Sequence, residues 1–383
     1  MLSYWEKSYF ITYDHIIVGA GLVGLSVAIE LADRYPSHRV LLLERGWIPS
    51  GASTRNAGFA CMGSASELLD DLQHMSEEEV VQLFEQRKNG LALLRQRMGD
   101  NAIGYQQNGS YELLRPHELG VLDHLEYLNT LLLPIIGEKA FSICNEKIQP
   151  FGFSPRLSTA MVANHCEGEL NTGKMMQSLL RLALDKKIEI KTGIAVERFE
   201  EEQSSVTVII NDEIRKEPIE LRAKTLCICT NAFTKHLLPQ EFVTPGRGQV
   251  LITQPIPHLP FKGIFHFDKG YYYFREIDGR ILLGGGRNRD FDTETTTEMT
   301  FNDNIQQHLE TLLNEMIAPN IPIEIAQRWS GIMAFGNSKQ PLVKQFSQSV
   351  FGAFRMGGMG VALGSLSAQQ IATLMQQEIE SRL

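Results

Sequence analysis

Six residues near the start of the chain, Gly19-Ala20-Gly21-Leu22-Val23-Gly24, constrain its fold more than any other feature. They follow an apolar run at 14–18 and open a helix-patterned stretch that reaches about residue 35. Glycines at this spacing, set between a strand and a helix, form the turn of a dinucleotide-binding β-α-β unit. Gly19 permits the tight turn, Gly21 lets backbone approach a pyrophosphate, and Gly24 lets the helix pack close to the strand. The first helical N–H groups, at Leu22 and Val23, offer donors and a partial positive charge to the phosphates. Glu44 closes a second apolar run at 40–44, with Arg45 beside it. A carboxylate there can accept from a ribose diol and repels a 2′-phosphate, which disfavours NADP. The turn by itself does not separate NAD from FAD.

The chain has 383 residues, 43% hydrophobic and 21% charged, the balance of an ordinary globular protein with a sizeable core. The formal net charge of −9 argues against broad contact with nucleic acid. Five scattered cysteines, Cys61, Cys144, Cys166, Cys227 and Cys229, make neither a zinc pattern nor a disulfide frame and suit a reducing cytoplasm. Cys227 and Cys229 alternate in an apolar run and read as small buried hydrophobes. The apolar run 16–32 contains Glu30, lacks a basic flank and is too short to span a bilayer, so no integral membrane segment is expected.

The remaining pattern alternates strands and helices. Residues 50–65 are dense in Gly, Ala and Ser and read as a loop; 77–98 is an amphipathic helix. Asn108-Gly109 predicts a hairpin joining 105–107 to 110–114, with a helix near 117–132. A helix at 173–186 precedes a strand at 188–192 and a meander over 195–200, 206–211 and 217–222; 226–230 is a core strand. The proline-rich 245–260 stretch predicts a crossing between domains. Asp278-Gly279 predicts a hairpin of 271–276 with 280–284, followed by helices at 303–316 and 361–380. Together these give an α/β class: a Rossmann-like nucleotide-binding domain (1–105, 160–235 and 325–383) and a sheet-based α+β substrate domain (106–159 and 236–324), as in two-domain flavoproteins of the glutathione-reductase type.

The segment Gly51-Ala52-Ser53-Thr54-Arg55-Asn56-Ala57-Gly58 resembles that of the FAD-dependent oxidoreductases that include D-amino acid oxidase, glycine oxidase and sarcosine oxidase. Its Gly-Ala-Ser-x-Arg-Asn-x-Gly form is most similar to the γ-glutamylputrescine oxidoreductase-type branch. The resemblance extends over nearly the whole chain: 167–174, Thr230-Asn231-Ala232, Gly246-Arg247-Gly248-Gln249, the 271–285 hairpin, Trp329-Ser330-Gly331-Ile332-Met333, and Gly357-Gly358-Met359-Gly360-Val361. It implies FAD contacts from Ser53, Thr54, Arg55, Asn56, Ala57 and Gly58, from the Val196 backbone at the adenine, from Thr230, Asn231 and Ala232, and from Gly331 and 357–361. In the last segment the glycines let backbone press on the isoalloxazine ring, and the following helix aims its N-terminus at the N1/C2 carbonyl region.

The resemblance also implies hydride transfer from a carbon bearing an amine, with the imine then hydrolysed; the cofactor does the difficult step. Arg55, Tyr271 and Tyr273 are candidates to act at the ring or substrate, and Gln249, Tyr271, Tyr273 and Arg275 to bind substrate. Alternation along the strand turns at least one of Tyr271, Tyr272 and Tyr273 toward the cavity. His165, His236 and His266 read as surface or satisfied core residues. Three departures are visible. The carboxylate-gripping arginine of the amino-acid oxidases is replaced by Ile332 and Met333, so an α-amino acid would need Arg275, Arg287 or Arg289. No cysteine follows Cys229, so FAD is expected to be non-covalent. The oxygen-activating lysine falls in the apolar 281–283 stretch, which leaves the acceptor as oxygen or another oxidant. Two alternatives stay open: a 2-hydroxy-acid or glycerol-phosphate-type dehydrogenase, and a non-enzymatic FAD-binding protein. The 356–361 sequence lacks the Gly-Asp of flavin monooxygenases.

Overall fold

A computed structural model describes residues 2–156, 158–212, 214 and 216–382. The first sheet grows from the β-branched run after Tyr13. Strand Thr12–Val18 pairs in parallel with Val40–Glu44 on one side and Glu217–Ile228 on the other. The order continues outward to Glu189–Thr192 at one edge and through Val350–Phe354 to Leu342–Gln345 at the other. All five residues of Val40–Glu44 are buried, because both faces of this sheet are covered. Alternation decides which layer each residue serves. Ile17 and Leu42 pack against helices Leu22–Arg34, Thr172–Asp185 and Gly360–Ser381, whereas Ile16, Val18, Leu41 and Leu43 pack beneath the antiparallel ribbon Val196–Glu201 and Val206–Asp212.

The second sheet runs in the order Ile325–Phe335, Thr244–Thr253, Arg280–Gly285, Tyr272–Ile277, Ile264–Phe267, Ser110–Leu114, Ala160–Asn164, Phe141–Ile143. Its far face carries an aromatic cluster of Phe153, Phe261, Phe265 and Phe274, with Phe265 and Phe274 stacked at 4.6 Å, and the Asp303–Leu312 helix. Its near face looks toward the first sheet. Ala160–Asn164 and Ile325–Phe335, assigned from sequence to the nucleotide-binding unit, are strands of this second sheet.

Several local expectations are overridden by tertiary pairing. Residues 244–253 are not a crossing but a ten-residue interior strand. Pro245 sits near its start and Pro255, Pro257 and Pro260 follow its end, so the prolines flank the ladder rather than break it. Asn108-Gly109 does not close a hairpin. Gln106 bridges to Glu169, while Ser110–Leu114 pairs with Ile264–Phe267 and Ala160–Asn164, partners that bury all five of its residues. The helix near 117–132 is a 3₁₀ segment, Pro116–His124, followed by an α-helix, Leu125–Ile136, and the 303–316 helix ends in a π turn at Leu313–Ile317. The stretch Pro116–Ile136 is long and apolar enough to cross a membrane by composition. Its α-helical part has only 12 residues, about 18 Å, and packs Leu125, Leu128 and Leu132 into a core with Phe84 and Val162.

On the far face of the second sheet a fully buried ion pair joins Arg247 to Glu294 at 2.7 Å, with Arg247 Nε donating to the other carboxylate oxygen at 3.0 Å. Removing one partner strands a buried charge. Arg247→Met is expected to lower unfolding free energy by ~3–5 kcal/mol. Arg247→Met combined with Glu294→Leu is expected to regain most of that loss; urea titration of both variants checks the pair.

Candidate active site

A cavity of about 950 Å³ lies between the two sheets, at the upper end of what ligand sites enclose. Its nucleotide end is built on the opening glycines. Gly19 has φ +102°, and a Cβ there would sit 2.7 Å from the Cys229 carbonyl oxygen; a Cβ on Gly24 would sit 1.9 Å from the Gly19 carbonyl oxygen. Only glycine lets strand, turn and helix meet this closely. Gly21 heads the 13-residue helix without a side-chain cap of its own; the Leu22 N–H donates to Ser53 Oγ at 2.9 Å. Glu44 is held by two main-chain donors: Ala20 N–H to Oε2 at 3.0 Å and Gly46 N–H to Oε1 at 2.9 Å. Val196 lines the cavity beyond it, with His236 Nε2 3.2 Å from the Val196 carbonyl. Arg45 stacks over Phe233 at 3.7 Å. Asn231 has φ +46°, and its Oδ1 accepts from the Arg355 N–H at 3.1 Å, which fixes the 230–232 turn against the cavity.

The opposite end is lined by Gly331, Met333 and residues 356–362. Gly357 and Gly358 take φ +56° and +85°, and Met359 heads the 22-residue helix Gly360–Ser381 with no side-chain cap. Two long helices thus open at one cavity without a side-chain cap from their own N-cap residues, although Ser53 takes the Leu22 N–H. The N–H groups left over call for acceptors, which a pyrophosphate would supply at the first and a flavin N1/C2 carbonyl edge at the second. The residues therefore fit FAD. Arg55 lies alongside, its Nε donating to Ser50 O and its Nη1 to Ser330 O, both at 2.9 Å, while Trp329 Nε1 donates to Arg55 O at 2.9 Å. Asn56 organises its own loop: Nδ2 donates to Ser53 O, and Oδ1 accepts from the Gly58 N–H and from Thr172 Oγ1.

The second sheet closes the cavity with Tyr271, Tyr273, His266, Val250 and Arg287, and Phe59 reaches in from the 51–60 segment. Tyr272 points the other way and stacks on Phe267 at 4.9 Å. The Tyr273 ring lies across Gly284, where a Cβ would come within 2.5 Å of it, and burial pushes its phenol up to about 12. Phe59 meets His266 and Tyr273 edge-on at 5.1 and 5.5 Å.

Five residues counted as site candidates do not line this cavity. Gln249 is turned to the far face by the strand alternation that turns Gly248 and Val250 inward. Its Nε2 donates to Glu294 at 3.0 Å and its Oε1 accepts from the Asn302 N–H and from Gln306. Arg275 is buried at the junction of the sheets and donates to the carbonyls of Ala57, Gly58 and Leu170. Both are structural, which corrects their assignment to substrate. Thr54 donates to Pro49 O at 2.7 Å, and Gly24 and Gly58 serve close backbone packing. His266, read from sequence as an ordinary core or surface residue, does line it, as does Arg287, one of three arginines that could replace the missing carboxylate grip; Arg289 does not. The only sequence signal for His266 was a histidine inside the apolar run Ile264-Phe265-His266-Phe267.

Removing the Glu44 carboxylate deprives the Ala20 and Gly46 N–H groups of their acceptor, and would remove the acid that the sequence pattern assigns to the ribose. Glu44→Ala is expected to weaken FAD binding by about 10- to 100-fold, the range for a hydrogen bond to a charged group, with the circular dichroism of the apoprotein retained. Flavin fluorescence titration measures it.

The solved structure of glycine oxidase from Geobacillus kaustophilus superposes with a TM-score of 0.76 at 21% identity, over 96% of this chain and 95% of that one. L-proline dehydrogenase from P. horikoshii gives 0.75 at 17% identity, over 96% and 94%. At such identities the likeness shows the shared two-domain fold. Among curated proteins, a bifunctional protein ThiO/ThiG of Trichormus variabilis is 25% identical over 283 residues, 71% of this chain but only 39% of that protein. The family model described as FAD dependent oxidoreductase matches residues 14–374, from the strand before the glycine turn to the last helix, and the chain therefore belongs to that DAO family of FAD-dependent oxidoreductases.

Proposed function

We propose that this enzyme oxidises the C–N bond of a small amine or amino acid that also carries a carboxylate, with the imine product released to hydrolysis. Bound FAD supplies the acceptor for the hydride. The chain binds and orients the substrate and keeps water from the reacting face, for which Phe59, Tyr273, Val250 and Met333 provide apolar walls.

The observation that supports this reading is Arg287. Its guanidinium lies between the rings of Phe335 at 4.1 Å and Phe291 at 4.8 Å, and burial pulls its pKa down. Among the described residues no carboxylate comes within ion-pair distance of it; the nearby Glu294 is committed to Arg247 and Gln249. Of the cavity's three lysines, Lys269 is engaged with Asp70 at 2.6 Å and Lys339 with Asp71, while Lys235 belongs to the Asn231–His236 turn beside Ala232. A stacked, unpaired guanidinium in a substrate cavity suits a carboxylate, which it can grip bidentately. It thus offers from the second sheet what Ile332 and Met333 cannot offer from the segment after Trp329. The Gly51–Gly58 resemblance to the γ-glutamylputrescine-type branch supports an amine as the oxidised group.

The test is anaerobic titration of the yellow holoprotein with amines, N-methyl amino acids, D-amino acids and 2-hydroxy acids, followed at the visible flavin band. Bleaching by an amine or amino acid is expected. Bleaching by 2-hydroxy acids alone, or by dithionite alone, overturns the reading. Arg287→Met is expected to raise KM for carboxylate-bearing substrates by about 10- to 100-fold, the range of a charged hydrogen bond, and to leave KM for carboxylate-free amines within a factor of about two.

A further inference from the structure

We propose that His266, backed by Glu167, accepts the proton that a substrate ammonium must lose before its C–H bond can break; this rests on the amine reading above. A protonated amine has no lone pair to form the C=N bond. A substrate that enters the cavity as the ammonium therefore needs a group beside it to take that proton.

The strand Ile264–Phe267 sends Phe265 and Phe267 into the far-face aromatic core and His266 into the cavity wall. The His266 ring is buried, with 5% of its surface exposed. Its Nε2 has no hydrogen-bond partner and faces Glu167 Oε2 at 3.7 Å. Glu167 lies behind the wall, outside the cavity. Its Oε1 accepts from the Met62 and Gly63 N–H groups at 2.5 and 2.9 Å, and its Oε2 from Ser110 Oγ at 2.7 Å. The carboxylate is thus fixed in place by three donors and turned toward the ring. With the Nε2 proton directed at Glu167, Nδ1 carries the lone pair, and a proton arriving there makes an imidazolium beside a carboxylate.

The other groups near His266 do not fill this role. Tyr273, its cross-strand partner on one side, has a phenol pushed up to about 12 by burial, far above neutral pH. Glu112, its partner on the other side, titrates near neutrality because burial pushes it up to about 7. It does not line the cavity, and its carboxylate accepts from Ser64 and Ser66. Cys61 lines the cavity, but burial raises its thiol well above its ordinary value. Glu67, Asp70 and Asp71 are paired with Lys269 and Lys339. His236 sits at the opposite end, against the Val196 carbonyl.

The balance is direct. One N–H bond of the ammonium breaks and its proton forms an N–H bond on the imidazole, leaving a neutral amine. The adjacent carbon then gives up its hydrogen with two electrons to FAD, the nitrogen lone pair forms the C=N bond, and water converts the iminium to a carbonyl and an ammonium. The imidazolium returns its proton to solvent after the product leaves.

The experiment compares the pH dependence of anaerobic flavin reduction, as kcat/KM and as limiting rate, in wild type, His266→Asn, His266→Gln, Glu167→Gln and Glu112→Gln holoenzymes. Wild type should show an acid limb that rises with loss of one proton. Both His266 variants should lose that limb and about 10²-fold or more of the rate at pH 7, the ordinary scale of general-base assistance. The deficit should shrink as pH approaches the substrate amine's own pKa. Glu167→Gln should shift the limb toward lower pH, and Glu112→Gln should leave it in place. In a further variant, His266→Ala, added imidazole should restore reduction. FAD affinity and binding of a carboxylate inhibitor lacking an amine should match wild type in the His266 variants. A wild-type profile in His266→Asn overturns the proposal. So does an equal loss at all pH values without imidazole rescue, or a limb that vanishes in Glu112→Gln. Failure of any amine to reduce the wild type instead overturns the amine reading itself.

Discussion

The guanidinium of Arg275 ties the two halves of the molecule together, and the cavity between them depends on it. It reaches from the second sheet to the main-chain carbonyls of Ala57, Gly58 and Leu170, at 3.3, 3.1 and 2.8 Å, with Glu169 at 3.4 Å offsetting its charge. Burial pulls its pKa down, the mark of a cation taken out of water and tolerated only because its donors are met. The carbonyls gain as much as the arginine, since irregular backbone buried between two sheets has no ladder of its own. Gly58 makes the approach possible: its φ is +77°, and a Cβ would come within 2.7 Å of Arg275 Nη1 and 2.2 Å of the Leu170 carbonyl oxygen.

That tie fixes one end of the 51–58 loop, and Ser53 fixes the other by accepting from the Leu22 N–H. The loop is therefore strung between the nucleotide-binding helix and the second sheet. Arg55 is carried on it, lines the cavity, and donates from Nε and Nη1 to the Ser50 and Ser330 carbonyls. Those bonds hold the wall near Gly331, where an added Cβ would meet Arg55 Cβ at 3.2 Å. The cofactor end is thus shaped largely by main chain, while His266 and Arg287 enter the cavity from the second sheet and the turn that follows its Arg280–Gly285 strand.

How much of this the sequence carried follows from how local each signal is. The glycine turn, the Glu44 position and the 195–211 strand pair depend on spacings within a few dozen residues, and the structure places them as read; 217–222 and 226–230, read as two strands, are joined in the single strand Glu217–Ile228. The 244–253 strand and the 110–114 pairing depend on partners far along the chain, and proline count or an Asn-Gly pair cannot report those. Gln249 and Arg275 show the same limit for side chains. Each sits beside inward-facing neighbours in sequence, but strand parity turns Gln249 away, and Arg275, on the same face as Tyr273, falls beyond the cavity under the 57–58 loop. His266 failed in the opposite sense. Flanked by Phe265 and Phe267, it reads as a core residue, and only Glu167, ninety-nine positions earlier, gives it a partner.

Across the second sheet a single register row links Glu112, His266, Tyr273, Gly284, Val250 and Trp329. The row sets the spacing of the substrate wall, because cross-strand neighbours are held about 5 Å apart by the ladder itself. Gly284 gives up its side chain so that the Tyr273 ring can lie over it, and the ring in turn packs on Phe59, which packs on His266. The imidazole is thereby held on one side by an aromatic edge and on the other by Glu167. Its position is set by the sheet's register rather than by a flexible loop, as a group that must meet a substrate nitrogen at a fixed distance requires.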